Sequence, residues 1–318
     1  MNLKTYNLSE EGLTFLASSE MAPEWFTDDQ VRWIDVMASE SDEMERLLEP
    51  LDLDEEIRVA GAAKEARPEV IAFEELLFVR QSFLGCDGKV HTLRLLCGPT
   101  AILSARTVPV VEIDQLGSAL AKGVRKVRPT VAAMLIELLE AVIREGGVAS
   151  RQLRDQINDS SDSLETHSDK IDSANLLALK RRSSEMACLI EDQLICLRTL
   201  SIARSASLGL SEVREELRTM IDILEHVRPI VLRLEEQARE LRQAYAGMLQ
   251  EASNRRLNVL AIMSAIYLPS TLIAGIYGMN FENIPIMDVS GGYWIVLSLM
   301  IALVAGQLVF FWFRGWFK

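Results

Sequence analysis

Residues 254–285 read NRRLNVLAIMSAIYLPSTLIAGIYGMNFENIP, and the fold turns on this stretch. From 257 to 277 it holds no charged residue. At ~1.5 Å per helical residue that run is long enough for the ~30 Å hydrocarbon core of a bilayer, so it predicts a transmembrane helix. Asn254, Leu257, Ala261, Ser264, Leu268, Thr271 and Gly275 recur at steps of three and four, which puts them on one face. Val259, Leu260, Ile262, Met263, Ile266, Leu272 and Ile273 take the other faces. Hydroxyl and amide groups turned toward lipid would lack partners, so the small and polar edge is predicted to face other helices or water.

Toward the C-terminus a second charge-free run, 293–313 (YWIVLSLMIALVAGQLVFFWF), predicts a second span. Tyr293 and Trp294 stand at one end, Trp312 and Trp316 at the other, as interfacial anchors do. Arg255 and Arg256 precede the first span, Arg314 and Lys318 follow the second, and the loop 278–292 has no Lys or Arg. Positive charge marks the cytosolic side, so both termini, including the tail 314–318, are expected in the cytosol and the loop outside a plasma (inner) membrane.

Upstream, Leu224, Val227, Val231, Leu234, Ala238, Leu241, Tyr245, Met248 and Ala252 keep three-four spacing, a coiled-coil-like seam that runs toward the membrane stripe. Residues 211–277 therefore read as one stalk helix continuing into the first span, capped by Ser211, with Glu212, Glu215 and Glu216 in its first turn and Pro229 as a start or kink. The 48 residues from 230 to 277 amount to roughly 70 Å of helix, which calls for copies packed around an axis. Residues 111–210 read as a helical part: a helix over 116–144 broken or kinked at Pro129, an interruption at Gly146-Gly147, a helix over 150–173, and another over 175–207 ended by Gly209. Asp155, Asp159, Asp162, Glu165, Asp169 and Asp172 form an acidic stripe, either a solvated face or a carboxylate wall that concentrates cations.

Residues 1–110 read as an α/β part, a mixed sheet with helices. The segment 31–37 (VRWIDVM) alternates, 40–51 is helical in period, and 70–106 offers three apolar runs broken at 86–89 and at Gly98-Pro99, with Pro68 at a strand start. The fold class is thus α+β in the cytosol, then long helices and two transmembrane helices.

The net charge is -13, yet residues 251–318 carry +1, so the first 250 residues hold -14. That sign argues against nucleic acid and anionic lipid surfaces and suits a vestibule for cations. The start, MNLKTYNLSEEG, lacks the apolar core of a cleaved signal peptide. Cys86, Cys97, Cys188 and Cys196 show no CxxC spacing and are read as reduced and buried; with His91, His167 and His226 scattered singly, no metal-ligand cluster is assigned. No phosphate-binding GxxxxGK[ST] loop or catalytic triad is present, so the reading is not an enzyme and calls for no cofactor.

The run Tyr277-Gly278-Met279-Asn280-Phe281-Glu282, followed by Pro285 and a second span, resembles the signature of the CorA family of divalent-cation channels. The resemblance extends to Ser253-Asn254-Arg255, to Leu268-Pro269, and more weakly to Arg67-Pro68-Glu69-Val70 and Leu77-Phe78-Val79. It implies a funnel-shaped homopentamer in the lipid bilayer that passes divalent cations, with Gly278, Met279 and Asn280 as the selectivity filter. Thr271, Ser264 and Asn254 become polar pore rings, Leu268 and Leu257 apolar constrictions, and the neighbourhood of Leu257 the gate. Mg²⁺ holds its waters tightly, and uncharged oxygen ligands suit passage of the hydrated ion.

Two departures stand out. Family members often read Met-Pro-Glu-Leu after the filter, where this chain has Ile284-Pro285-Ile286-Met287; Glu282 and Asp288 remain as loop acids. Thr219 falls where some members carry a sensing Asp, with Asp222 a weak substitute. The reading is a channel for Mg²⁺, with Co²⁺ or Ni²⁺. The alternatives are a zinc transporter of the ZntB type or a transport-silent, membrane-anchored interaction protein.

Overall fold

The computed structural model describes residues 2–9, 12–16, 30–37, 53, 55–62, 67–73, 75–85, 87–166, 172–203, 208–279, 285 and 291–314. The chain divides into two units, Met1–Arg242 and Gln243–Lys318. The first is built on seven strands: β1 (Asn2–Ser9), β2 (Gly12–Leu16), β3 (Arg32–Met37), β4 (Glu69–Ala72), β5 (Leu77–Leu84), β6 (Val90–Cys97) and β7 (Ala101–Arg106). They form one sheet in the order β2-β1-β3-β7-β6-β5-β4. Only β3 and β7 run parallel, with Ile34 opposite Leu103; the other neighbours are antiparallel. The stretch expected as one apolar run from 70 onward is two strands, separated where Phe73 N–H donates to the Leu76 carbonyl at 2.8 Å. The predicted helical segment 40–51 lies outside the described residues.

Helix α1 (Glu55–Ala62) inserts Ile57 into a core with Ile34, Val36, Phe78, Leu96 and Leu103. Three further helices follow: α2 (Val111–Ala121), α3 (Val131–Thr166) and α4 (Ser173–Ile202). Of these, α3 and α4 pack on β5, and α2 packs on β2 and on α3. Gly117 of α2 faces the Trp33 ring, and a Cβ there would lie in ordinary van der Waals contact with it at 3.4 Å. Trp33 stacks on Tyr6 with centroids 4.9 Å apart and donates its indole N–H to Ser104 Oγ at 2.9 Å.

That hydroxyl donates in turn to Asp35 at 2.8 Å, and Asp35 meets Arg106 at 2.9 Å. Arg106 also reaches Asp114 at 2.7 Å and the Val110 carbonyl at 3.1 Å. The guanidinium is fully buried and Asp35 nearly so. Burial pushes the Asp35 carboxyl above its ordinary range, opposed by Arg106 and by the Ser104 hydroxyl. The network ties β3, β7 and α2 into one block.

Several expected boundaries move. Helix α3 passes through Gly146-Gly147 without interruption and merges the two predicted helices. Its inward residues Leu138, Val142, Leu153 and Ile157 stay buried on both sides of the glycines, and that packing outweighs about 1 kcal/mol per glycine. Pro129 does separate helices, since α3 begins at Val131. Asp172, read as part of the acidic stripe, instead caps α4 by accepting from Ala174 N–H at 2.9 Å. Helix α4 ends at Ile202, before the predicted Ser207. Ser211 is not an N-cap: it lies in a 3-10 turn, Leu210–Val213, whose Leu210 and Val213 are buried. The long helix α5 (Arg214–Tyr277) starts after that turn and runs 64 residues, unbroken at Pro229. Ion pairs Arg198–Glu225 and Arg228–Glu191 link it to α4, and Arg128–Glu216 links its start to the segment before α3.

Cys97 and Cys196 are buried as expected, but Cys188 is exposed on α4, a correction to the sequence reading; Cys86 lies outside the described residues. Burial pushes the Cys196 thiol up to about 12, with Asp192 adding to the shift. The thiolate is the reactive form, so at pH 8 a disulfide reagent should modify Cys188 within minutes and leave Cys196 untouched. Cys188→Ser should remove one equivalent from the fast phase of a thiol titration. No change in that phase would contradict the exposed placement.

Candidate ion-conducting site

The second unit, Gln243–Lys318, contains the C-terminal part of α5 and the helix α6 (Gly292–Phe313). Both carry stretches long and apolar enough to cross a membrane. One face of each is covered. On α5, Ile262 is 6% exposed, and Ala265, Ile266, Pro269, Ser270, Ile273 and Tyr277 are half-buried. On α6 the half-buried stripe is Val296, Leu297, Met300, Leu303, Val304, Gln307 and Phe311. Between the C-terminal end of α5 and the N-terminal end of α6 lies an apolar cavity of about 430 Å³, with Ala274 and Tyr277 on one wall and Val296 and Met300 on the other.

The seven residues of the predicted edge lie away from that covered face. Asn254, Leu257, Ala261, Ser264, Leu268, Thr271 and Gly275 are all exposed in the single chain, with Leu257 at 58% and Leu268 at 73%. Helical sequence alone separates the two faces: the edge follows 254, 257, 261, 264, 268, and the covered stripe follows 262, 266, 269, 273. Thr271 donates its hydroxyl to the Tyr267 carbonyl at 2.8 Å, and its oxygen can still accept. Asn254 accepts from the Gln250 amide at 3.3 Å.

At its C-terminal end the last turn of α5 closes with Gly278 N–H on the Ala274 carbonyl at 3.0 Å and Met279 N–H on the Ile276 carbonyl at 3.3 Å. The need for glycine at 278 is one of space: a Cβ would come within 3.0 Å of the Ala274 carbonyl oxygen, so a side chain would push the turn open. At Gly275 a Cβ would meet nothing within 4 Å. Met279, expected as part of the filter, is 47% exposed in the single chain. Asn280, Glu282 and Asp288 lie outside the described residues.

Gln307 was not singled out in the sequence. It is the one amide in an otherwise apolar α6, which was the available signal, and its Oε1 is buried with no hydrogen-bond partner among the described residues. Arg255 pairs with Glu251 at the N-terminal end of the first apolar run, and Arg314 lies over the Phe310 ring at 5.8 Å.

In the first unit, Thr219 donates its hydroxyl to the Glu215 carbonyl at 2.9 Å. It lines a cleft of about 390 Å³ with Glu137, Glu140 and Glu216. These carboxylates already face guanidinium groups: Arg125 lies 2.7 Å from Glu137 and 3.1 Å from Glu140, and Arg128 lies 2.6 Å from Glu216. Burial raises the Glu137 carboxyl, with Arg125 pulling it back. Among the described residues no group of three or more His, Cys, Asp or Glu is placed to hold a metal ion.

The sequence model of the family described as CorA-like Mg²⁺ transporter protein matches residues 28–314. The chain belongs to the CorA family. The magnesium transport protein CorA of Sodalis glossinidius is 25% identical over 302 residues, covering 89% of this chain and 91% of the other. The putative metal ion transporter YfjQ of Bacillus subtilis is 38% identical over 117 residues, 35% of this chain and 37% of that one. Among solved structures, the complete CorA magnesium transporter of Methanocaldococcus jannaschii superposes with a TM-score of 0.79 at 17% identity, over 99% of both chains. The ZntB cytoplasmic domain of Vibrio parahaemolyticus superposes at 0.62 and 14% identity, over 78% of this chain and 98% of that one. These CorA-family structures share the fold: a mixed sheet with helices, then long helices.

Proposed function

We propose that this chain is the subunit of a homo-oligomeric channel, a pentamer, that passes hydrated Mg²⁺ with Co²⁺ or Ni²⁺ into the cytosol. The observation that supports the reading is that the small and polar edge of α5, from Asn254 to Gly275, lies away from the helix's covered stripe and is open in the single chain. Copies brought together along that edge enclose a path lined by hydroxyls, amides and two leucine rings. Uncharged oxygens can hold the water shell of Mg²⁺ without stripping it. Gly278, Met279 and Asn280 form the filter at the outer mouth, and Glu282 and Asp288 draw cations to it. Leu257 and Leu268 form constrictions that close by excluding water. Both termini lie in the cytosol of a cell whose inner membrane holds the two spans.

A negative-inside potential contributes about 2.3 kcal/mol per charge per 100 mV, or about 4.6 kcal/mol for a divalent ion, so inward flow needs no ATP. Closure by cytosolic Mg²⁺ through residue 219 is not part of this proposal. Thr219 has no carboxylate, and the acids beside it are matched by Arg125 and Arg128.

A second reading keeps the fold and changes the ion to zinc, since the ZntB cytoplasmic domain shares the fold of the soluble unit. Reconstituted liposomes loaded with a magnesium or zinc dye, with a pH dye alongside, separate the two. The channel reading expects Mg²⁺ influx driven by potential and indifferent to a proton gradient. Zinc influx that is faster and follows the proton gradient would transfer the assignment to the second reading. Absence of any flux would favour an anchored interaction protein.

A further inference from the structure

Of three clefts on the first unit, one is lined by basic and amide side chains with no carboxylate among them. The cleft beside Thr219 carries three glutamates, and a second, between the β5–β6 turn and α3, carries Asp87 and Glu145. The third, about 650 Å³ between α3 and α5, has no carboxylate in its lining. Arg154 and Asn158 come from α3, Arg233 and Gln237 from α5, and Pro229, Ile230 and Leu234 supply an apolar wall. In a chain of net charge -13, two guanidinium groups from facing helices converge with two amides on a volume of small-ligand size.

Spacing along the helices explains the convergence. Arg154 and Asn158 are four apart on α3, and Arg233 and Gln237 are four apart on α5, so each pair stands on one face. Leu153 and Ile157, one position earlier on α3, are buried and fix the rotation of that helix. Leu234 does the same for α5 at 3% exposure, while Ile230 beside it remains 42% exposed. Pro229 brings no N–H, so it presents only apolar ring atoms and its own carbonyl.

We propose that this cleft binds a phosphate-bearing organic anion of nucleotide size. Arg154 and Arg233 take the phosphates, Asn158 and Gln237 hydrogen-bond the polar edge of the organic body, and Pro229 and Ile230 receive its flat apolar face. Guanidinium forks match phosphate oxygens two at a time, and charge-assisted bonds of this kind are the strong ones. The inference is independent of ion passage.

The test is calorimetric titration of the purified full-length chain with ATP, adenosine and inorganic phosphate. Magnesium-free buffer containing a chelator keeps metal capture by ATP from contributing. ATP should bind with an affinity that falls as salt rises. Adenosine and inorganic phosphate should each bind at least ~10-fold more weakly, because each offers half of the contacts. Arg154→Glu and Arg233→Glu should each weaken ATP binding by about 10-fold or more. Both sites are exposed, and unchanged thermal unfolding of the ligand-free variants verifies that they remain folded.

Absence of ATP binding would overturn the proposal, as would equal affinity in the wild type and both variants. Phosphate binding as tightly as ATP would remove the organic body. If Arg233→Glu dissociates the oligomer and no titrant binds, the cleft is a contact between copies. Normal ion flux from a chain that binds no nucleotide would leave the channel reading standing and remove only this one.

Discussion

Asn280→Ala should abolish Mg²⁺ influx, by at least ~100-fold, while the oligomer still assembles. The filter is proposed as a ring of side-chain carbonyls at the outer mouth, where a hydrated cation exchanges bulk water for fixed oxygen partners. Deleting the amide from every copy removes all those partners together, and a loss of about 2.7 kcal/mol in the entry barrier already corresponds to 100-fold. Assembly rests on the helices below and should survive. Liposome flux, with size-exclusion chromatography of the same preparation, reads both outcomes. Unchanged flux from assembled Asn280→Ala would remove the filter assignment and favour a transport-silent anchored protein.

Arg106→Met should destabilise the soluble unit by about 3–5 kcal/mol, a fall of roughly 10 °C in its thermal midpoint. The substitution keeps an unbranched apolar stem but removes the guanidinium and leaves Asp35 buried without its cation, while Asp114, which is 40% exposed, can turn to water. Burial already raises the Asp35 carboxyl, and without Arg106 it rises further. A folded chain that keeps the proton released by the unfolded chain loses stability as pH rises. The deficit should therefore open as pH rises above the ordinary carboxylate range and narrow in acid. The companion Arg106→Met with Asp35→Leu should recover much of the loss, because both polar partners are gone. Thermal unfolding of the full chain at pH 4.5 and 7.5, as chosen conditions, tests the sign. A deficit under ~1 kcal/mol at both would contradict the account of the network.

The membrane unit was legible in the sequence because lipid admits few solutions. Two charge-free runs and interfacial aromatics leave little freedom for the backbone, and both runs are helical; the small-polar stripe of α5 is open in the single chain, as are its apolar neighbours Val259, Leu260, Met263 and Leu272. The sheet was legible as strands but not as an order. Its one parallel pairing joins Ile34 to Leu103, 69 positions away, and no local pattern encodes such a partner. Local signals also failed where packing opposed them. Gly146-Gly147 looked like an interruption and Pro229 like a kink or start, yet α3 and α5 pass through both. Ser211 looked like a cap, but burial of Leu210 and Val213 draws that turn into 3-10 form. The Arg106 network was hidden for a related reason: Asp35 in VRWIDVM lies among Trp33, Ile34 and Val36, and nothing local marks it as the buried partner of Arg106, 71 positions away. Gln307 was visible as the lone amide of its span, although an apolar helix gives no second residue from which to read a face.

The central claim is that copies of α5 meet along the edge from Asn254 to Gly275 and enclose water. Single cysteines at Ser264, Leu268 and Thr271, and as controls at Ile262 and Ile273, in a background free of native cysteine, test it in liposomes with a membrane-impermeant charged thiol reagent. The account predicts that the three edge positions are modified and that modification blocks Mg²⁺ influx, while the two positions on the covered face stay unreactive. Edge cysteines that remain unreactive while ions still pass would contradict it.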